Sequence, residues 1–284
     1  MSYRLSIPLE NFRRDLRSRL ETDKQMSGAW AIVPLLPLIM GVGLFVAFIA
    51  IAVSSLGSAG TTPTPGTSTA LVAGLFAFLS LLYLVYFLVI ILVAVLIFRL
   101  VRRRNMHFNR QILLYEDLLS VAKELASKKN TDVSILINNM DRNLREARLD
   151  ELEKNATLWA ILSFGFGAGL FYAGYFLMKD FYRHERREDM FIQDLLRTFY
   201  TLGVAINLPY RTSPVPDRSF ALYFVLTLIT GSIFAVYWVY VLVSDPNNHF
   251  RQQMVIEDTI MAQVSPILSS TQPPPPPPPP PATM

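Results

Sequence analysis

The three histidines of the chain are the side chains best suited to metal chemistry. They are His107, His184 and His249, and each follows an apolar segment by a few residues. Neutral imidazoles that meet at one point can bind zinc, copper or haem iron. However, no two of them have the spacing of one helical turn, and each lies among arginines, which would repel a cation. The sequence therefore favours a structural role at the membrane interface, and it predicts no bound metal and no cofactor.

Other patterns that support catalysis are missing from the sequence. The chain has no cysteine, which excludes disulfides, thiolate nucleophiles and cysteine-ligated metal or iron–sulfur sites. It also has no nucleotide-binding loop, no nucleophile elbow and no pair of carboxylates within an apolar segment. The sequence therefore predicts no catalytic residue and a protein that is not an enzyme.

The exclusion of charge from long stretches defines the elements that must position the histidines. All Lys, Arg, Asp and Glu residues lie outside residues 29–98, 157–178 and 219–244. A charge at the bilayer centre costs about 3 kcal/mol, and a spanning helix needs about 20 apolar residues. These stretches predict an all-α, multi-pass protein of the cell membrane with four apolar helical segments, two of them within 29–98, and with amphipathic cytoplasmic helices.

Basic residues predict which side of the membrane each loop faces. Residues 1–28 contain six Lys or Arg and residues 99–156 contain twelve, whereas the loop 55–68 has no charge. The positive-inside rule places the N-terminus and 99–156 in the cytoplasm and 55–68 outside. Four simple spans would leave the loop 179–218, with seven Lys or Arg, on the outer side. If the last two segments are instead re-entrant hairpins, every charged stretch is cytoplasmic.

Glycines in the third apolar segment are compatible with both alternatives. Residues 165–169 include three glycines, which can break a helix and close a hairpin if protein shields the irregular backbone. In a straight helix, Gly165, Gly169 and Ala173 would instead lie on one face, a pattern of small residues that allows close helix packing. The choice between four spans and two re-entrant hairpins therefore stays open.

The neighbourhoods of the three histidines resemble one another. Each histidine is followed by Arg or Gln and then by acidic residues. Each is also preceded by a five-residue pattern, at 41–45, 167–171 and 230–234, in which the first and third residues are small, the fourth is apolar and the fifth is Phe. These matches predict three copies of one unit, which consists of two apolar segments around a glycine-rich break, a His/Arg junction and an amphipathic helix. A shared unit predicts that the three histidines lie on the same side of the membrane, which favours the hairpins.

The last unit combines a turn at Thr230-Gly231-Ser232, an aromatic helix with Tyr237 and Trp238, and an exit at 245–248 that contains Asp and Asn. In these features it resembles an uncharacterised family of prokaryotic membrane domains, whose members have a Thr-x-Gly turn, a Tyr-Trp helix and an exit with Asp or Asn. The resemblance covers about 40 residues, and it departs from the family's Gly-Ile-Tyr by having Ser-Ile-Phe at 232–234. Because that family has no assigned chemistry, the resemblance implies a membrane domain and no catalytic residue.

The first 28 residues predict a basic amphipathic helix. One face is apolar and lies beside several arginines; it consists of Leu9, Phe12, Leu16 and Leu20. Such a helix can lie on an anionic leaflet or pack against 108–155.

The polar stretch 107–156 predicts an antiparallel pair of helices. The second helix starts after Lys129, with Thr131 as its N-cap, and its apolar face includes Met140 and Leu144. Its opposite face is charged, which is typical of solvent contact, so we expect no nucleic-acid partner.

These patterns divide the chain into six regions. They are a basic amphipathic helix at 1–28, a transmembrane hairpin at 29–106, a cytoplasmic helical pair at 107–156, two membrane segments that each continue as an amphipathic helix at 157–217 and 218–268, and a proline-rich tail at 269–284.

The function that these features predict is non-catalytic. We expect a membrane scaffold, assembly or membrane-shaping protein that acts through its cytoplasmic helices, with a small channel or transporter subunit as the alternative. The expected partners are the bilayer and a second protein or copy of the chain. Nine consecutive prolines at 273–281 also suit a domain that reads polyproline II helices.

Overall fold

A computed structural model describes residues 3–58, 65–165 and 167–270 of the chain. Within these residues the protein is all-helical, as the sequence predicts. A 3₁₀ helix over Gly28–Leu35 follows the first α-helix. The α-helices are α1 (Tyr3–Thr22), α2 (Leu36–Ser58), α3 (Pro65–Lys129), α4 (Ser134–Asp150), α5 (Ala156–Gly165), α6 (Gly167–Thr201), α7 (Phe220–Ile229) and α8 (Ala235–Ser270). The proline-rich run at 273–281 lies outside the described residues.

The longest helix, α3, connects the apolar and polar parts of the protein. It has 65 residues, which at 1.5 Å per residue gives a length of about 100 Å. Its first half is apolar as far as Phe98, and its second half carries charged residues and His107. The helix continues without a break through residues 106 and 107, where the sequence predicts the end of the transmembrane hairpin and the start of the cytoplasmic pair. One helix therefore joins these two predicted regions.

Two helices of the described residues, not four, are long and apolar enough to cross a membrane. They cover Gly28–Ser54 and Val72–Lys129. Large apolar side chains on both helices face outward, such as Phe45 and Phe76, which is typical of surfaces that contact lipid or another protein. The sequence predicts four apolar segments, the last two as spans or as hairpins; two of the four, not all, lie in helices of spanning length, because α5 and α7 have ten residues each. Ten residues extend about 15 Å, half of the hydrocarbon thickness.

Each of the three uncharged stretches contributes to an antiparallel hairpin of two helices. In the first hairpin, the rings of Phe48 in α2 and Phe78 in α3 are 4.8 Å apart. In the second, Trp159 of α5 lies 5.3 Å from Tyr172 at the start of α6. The third pairs α7 with α8, with the rings of Phe220 and Trp238 5.8 Å apart and those of Tyr223 and Phe234 5.2 Å apart.

Small residues allow the short hairpins to close. A Cβ atom on Gly169 would lie 2.6 Å from the carbonyl oxygen of Leu162, so α5 and α6 approach closely at this glycine. Ala173 is fully buried in the same helix. Gly165 is the last residue of α5, and its surroundings lie outside what the structure describes. The three small residues therefore belong to two helices, not to one straight span.

The N-terminal helix packs against protein. Leu9 and Phe12 of α1 are buried in a core that they share with α3, α4, α6 and α8, whereas Leu20 is 83% exposed. The second helix of the predicted pair, α4, runs antiparallel to α3, with Arg148 donating to Glu116. It begins at Ser134, whose backbone N–H donates to Asp132, so Thr131 is not its cap.

Two apolar cores lie along α3, α6 and α8 with a polar layer between them. The core next to the hairpins includes Leu100, Leu177 and Val241. The core at the other end of the three helices includes Leu118 and Leu195. The histidines lie between these cores on all three helices, together with four apolar side chains: Phe108, Phe181, Val215 and Phe250.

Candidate metal centre

The structure brings the three histidines together. His107 on α3, His184 on α6 and His249 on α8 are almost completely buried. The Nε2 atom of His107 is 3.1 Å from Nε2 of His249 and 3.3 Å from Nε2 of His184. Sequence reasoning considered this convergence and favoured separate structural roles. The close packing of three helices at the same level produces it.

A carboxylate completes the group. Glu188 lies one helical turn after His184 on the same face of α6 and is buried. Its oxygens lie 3.2 Å from Nε2 of His184 and 3.5 Å from Nε2 of His249. The four possible ligand atoms all lie within 4.8 Å of one another. Among the described residues, Glu188 Oε1 has His184 Nε2 as its neighbouring polar group and no well-aligned hydrogen-bond donor.

Each imidazole is oriented by a second carboxylate on its other nitrogen. The distances from Nδ1 to the carboxylate oxygen are 3.0 Å for His107 and Asp23, 2.9 Å for His184 and Glu151, and 2.8 Å for His249 and Glu185. A carboxylate at Nδ1 favours the tautomer with its hydrogen there, which leaves the Nε2 lone pair pointing to the centre. Carboxylate, histidine and metal are arranged in this order in many metal sites.

Arginines hold the three outer carboxylates in place. Arg110 donates to Asp23 at 2.7 Å, Arg187 donates to Glu151, and Arg211 donates to Glu185 at 3.3 Å. The expectation that arginines near the histidines would repel a cation is therefore wrong for these three, because each is paired with a carboxylate. With Glu188 included, the site has four carboxylates against these three guanidinium groups.

The residue after each histidine contacts the next histidine in a cycle. Phe108 stacks on His184 with ring centroids 4.0 Å apart, and Phe250 packs on His107 at 4.5 Å. Glu185, at the equivalent position of α6, binds His249. The three helices thus surround the centre in a pseudo-threefold arrangement. The residues four positions after the histidines are Gln111, Glu188 and Gln253, so this position supplies a single acid.

The charges of the site depend on one another when no ion is bound. Burial alone would lower the pKa of His184, but the carboxylates of Glu151 and Glu188 raise it to about 9. Burial alone would raise the pKa of Glu188, but His249 and His184 hold it well below its usual range. Because a metal needs a neutral imidazole, an ion that enters this site displaces the proton of His184.

The geometry suits a four-coordinate ion with no open position. In a tetrahedral site with bonds of about 2.0–2.1 Å, neighbouring ligand atoms lie about 3.3–3.4 Å apart. Two distances between Nε2 atoms, 3.1 and 3.3 Å, and the distances of 3.2 and 3.5 Å from the two Glu188 oxygens to Nε2 of His184 and His249 are close to this spacing, and the whole set lies within 4.8 Å. A cavity of about 10 Å³ adjoins His184 and Glu188 beside Tyr115. A cavity of this volume has room for about one water molecule and not for a substrate.

Sequence reasoning missed all four carboxylates of the site. Glu188 had a local signal, because a histidine and a glutamate four residues apart share a helical face. Glu185 follows His184 directly, but only the contact between α6 and α8 shows its role. Asp23 and Glu151 are 84 and 33 residues from the histidines that they orient, so no local spacing could identify them.

Comparisons with protein-family models, with curated proteins and with solved structures find no match to the chain. The interpretation of the site therefore depends on its geometry, and the resemblance of the last unit to a membrane family stays a prediction.

Proposed function

We propose that the chain is a membrane protein in which one transition metal ion, with zinc as the best fit, joins three helices at the membrane interface. The ligands are His107, His184, His249 and Glu188. One observation carries the proposal: three Nε2 atoms and a carboxylate converge within 4.8 Å, and each Nδ1 lies 2.8–3.0 Å from the oxygen of a second carboxylate. A proton on one Nε2 can bridge one pair of these acceptors, whereas a cation interacts with all four.

The ligand set supports zinc over other ions. Imidazole nitrogens prefer zinc, copper, nickel and iron, whereas magnesium and calcium prefer oxygen ligands. The chain has no thiolate to offer a softer metal. Four protein ligands with tetrahedral spacing are typical of structural zinc sites, whereas catalytic sites keep a position open for water or substrate.

A structural ion suits the non-catalytic scaffold that the sequence predicts. α3, α6 and α8 each extend from an apolar hairpin to the core that contains Leu118 and Leu195. The ion would fix these three helices to one another between that core and the core next to the hairpins. The scaffold would then present the helices around the core with Leu118 and Leu195, and its proline-rich tail, to protein partners. A domain that binds polyproline II helices is the candidate partner of the tail.

We further propose that the two short hairpins enter the membrane from the cytoplasm and return. Their ten-residue limbs are too short to span, and the antiparallel ring contacts support a turn at each glycine-rich break. The N-terminus and all three histidines would then be cytoplasmic, and the loop 55–68 would be outside. This placement agrees with the basic residues of 1–28, 99–156 and 179–218.

Metal analysis of the purified full-length protein tests the site. We expect one transition metal ion per chain, mainly zinc, and none in a variant with all three histidines replaced by glutamine. X-ray absorption should show nitrogen and oxygen neighbours at about 2.0–2.1 Å. Glu188→Gln should weaken binding by more than the about 10–100-fold that is usual for an outer-shell residue.

Asp194→Asn is the matched control for Glu188→Gln. Asp194 lies on the same helix and pairs only with Arg197 among the described residues, so its replacement should leave metal content unchanged. A metal-free wild-type protein that is folded and takes up no zinc, cobalt or copper on titration would contradict the proposal.

Cysteine labelling tests the hairpins, because the chain has no native cysteine. We expect Thr62→Cys to react with an impermeant maleimide on intact cells and Thr212→Cys to react only after lysis. Thr212 is exposed, so its reaction in lysed cells checks that the thiol is accessible. If Thr212→Cys is labelled on intact cells, the chain has simple spans and the hairpin proposal is wrong.

A further inference from the structure

A groove between α3 and α5 continues from an apolar part into a polar part. The apolar part has a volume of about 330 Å³ and lies between Ile91–Phe98 on one side and Thr157–Phe164 on the other, all within the uncharged stretches. The polar part has a volume of about 700 Å³ and includes Arg102, Asn109 and Glu153. Phe98 and Thr157 line both parts, so the two are continuous.

The polar part contains two opposite charges that have no partner among the described residues. Arg102 and Glu153 are both exposed, and neither has a hydrogen bond or ion pair with any described residue. Their neighbours differ in this respect. Arg104 binds Asp180 at 2.9 Å, and Lys154 lies 3.5 Å from the same carboxylate. Asn109 is also exposed and unpaired within the described residues.

We propose that this groove binds a phospholipid with a primary ammonium head group, phosphatidylethanolamine. An acyl chain would lie in the apolar part between α3 and α5. The phosphate would bind Arg102 and Asn109, and the ammonium would bind Glu153. The charge complementarity supports a zwitterionic head group, because an anionic lipid would leave Glu153 without a cation and close to a second negative charge.

The depth of the groove supports a lipid over a soluble ligand. Residues 91–98 extend about 10 Å along α3, and the first charges of the helix, Arg99 and Arg102, follow directly. In a spanning helix this transition lies at the level of the head groups, where basic side chains interact with phosphates. The inference therefore depends on the proposed membrane placement of α3.

Native mass spectrometry of the full-length, metal-loaded protein tests the proposal. The detergent-solubilised protein is mixed with equal amounts of phosphatidylethanolamine, phosphatidylglycerol and phosphatidylcholine. We expect one phosphatidylethanolamine to be retained about tenfold more than the other two lipids. Arg102→Gln should lower retention of all three about tenfold, because it removes one charged hydrogen bond. Glu153→Gln should abolish the preference for phosphatidylethanolamine over phosphatidylglycerol.

Two further variants localise the binding. Ala160→Phe fills the apolar part and should prevent retention of every lipid, whereas Arg17→Gln, an exposed arginine on α1, should have no effect. Circular dichroism shows that each variant is folded whether or not it holds a metal, and recovery in the membrane fraction tests the placement of α3 separately. Unchanged retention in a folded Ala160→Phe, a preference of the wild type for another lipid, or an unchanged preference in Glu153→Gln would overturn the proposal.

Discussion

Removal of the metal should lower the melting temperature of the purified protein by about 10 °C. An ion present at a thousandfold excess over its dissociation constant stabilises the folded state by about 4 kcal/mol. In a chain of this size, each kcal/mol shifts the melting temperature by about 2–4 °C. The metal-free site also leaves the buried Nε2 atoms of His107 and His249 facing each other at 3.1 Å. Scanning calorimetry before and after treatment with a chelator measures the shift.

The variant with three glutamines in place of the histidines is the control for this measurement. Its melting temperature should not respond to the chelator or to added zinc, whereas zinc should restore the wild-type protein. A wild-type protein that melts at the same temperature with and without metal would show that the helices hold together without the ion. The ion would then have another role, such as sensing or storage.

Local patterns in the sequence predict most helices, because hydropathy and charge are properties of neighbouring residues. The end of α3 agrees with the change of pattern at Lys128, and the breaks between the hairpin limbs agree with the glycines. The number of spanning segments could not be predicted with the same success. A hydropathy window averages over Gly231, and it gives the same value for a straight span and for two ten-residue limbs that fold back.

The sequence identifies the histidines of the site but does not predict that they meet. The three histidines are identifiable by their type and their common position after an apolar segment. Their convergence depends on the packing of α3, α6 and α8, which brings together residues 77 and 142 positions apart. The sequence argument against a metal used the arginines near each histidine without the partners of their charges. Arg110, Arg187 and Arg211 are instead paired with carboxylates, two of which lie in distant parts of the sequence.

Replacement of an outer carboxylate should weaken metal binding while all four ligands remain. We expect Glu151→Gln and Glu185→Gln each to lower the affinity for zinc about 10–100-fold, because an amide orients and polarises the imidazole less strongly than a carboxylate. Asp23→Asn should have a smaller effect in the same direction. Its side chain is 10% exposed, against 5% for Glu151 and 4% for Glu185, so water screens its charge more. Competition titration with a chromophoric chelator measures the three affinities.

Asp150→Asn separates orientation of the imidazole from general electrostatics. Asp150 is adjacent to Glu151 and pairs with the same Arg187 at 2.6 Å, but it does not contact a histidine and is 66% exposed. If the carboxylates act by holding Nδ1, Asp150→Asn should leave the affinity unchanged. An equal loss in Asp150→Asn and Glu151→Gln would mean that negative charge near the site is sufficient. Since α1 ends directly before Asp23, a measurable loss in Asp23→Asn would also show that the N-terminal helix contributes to metal binding.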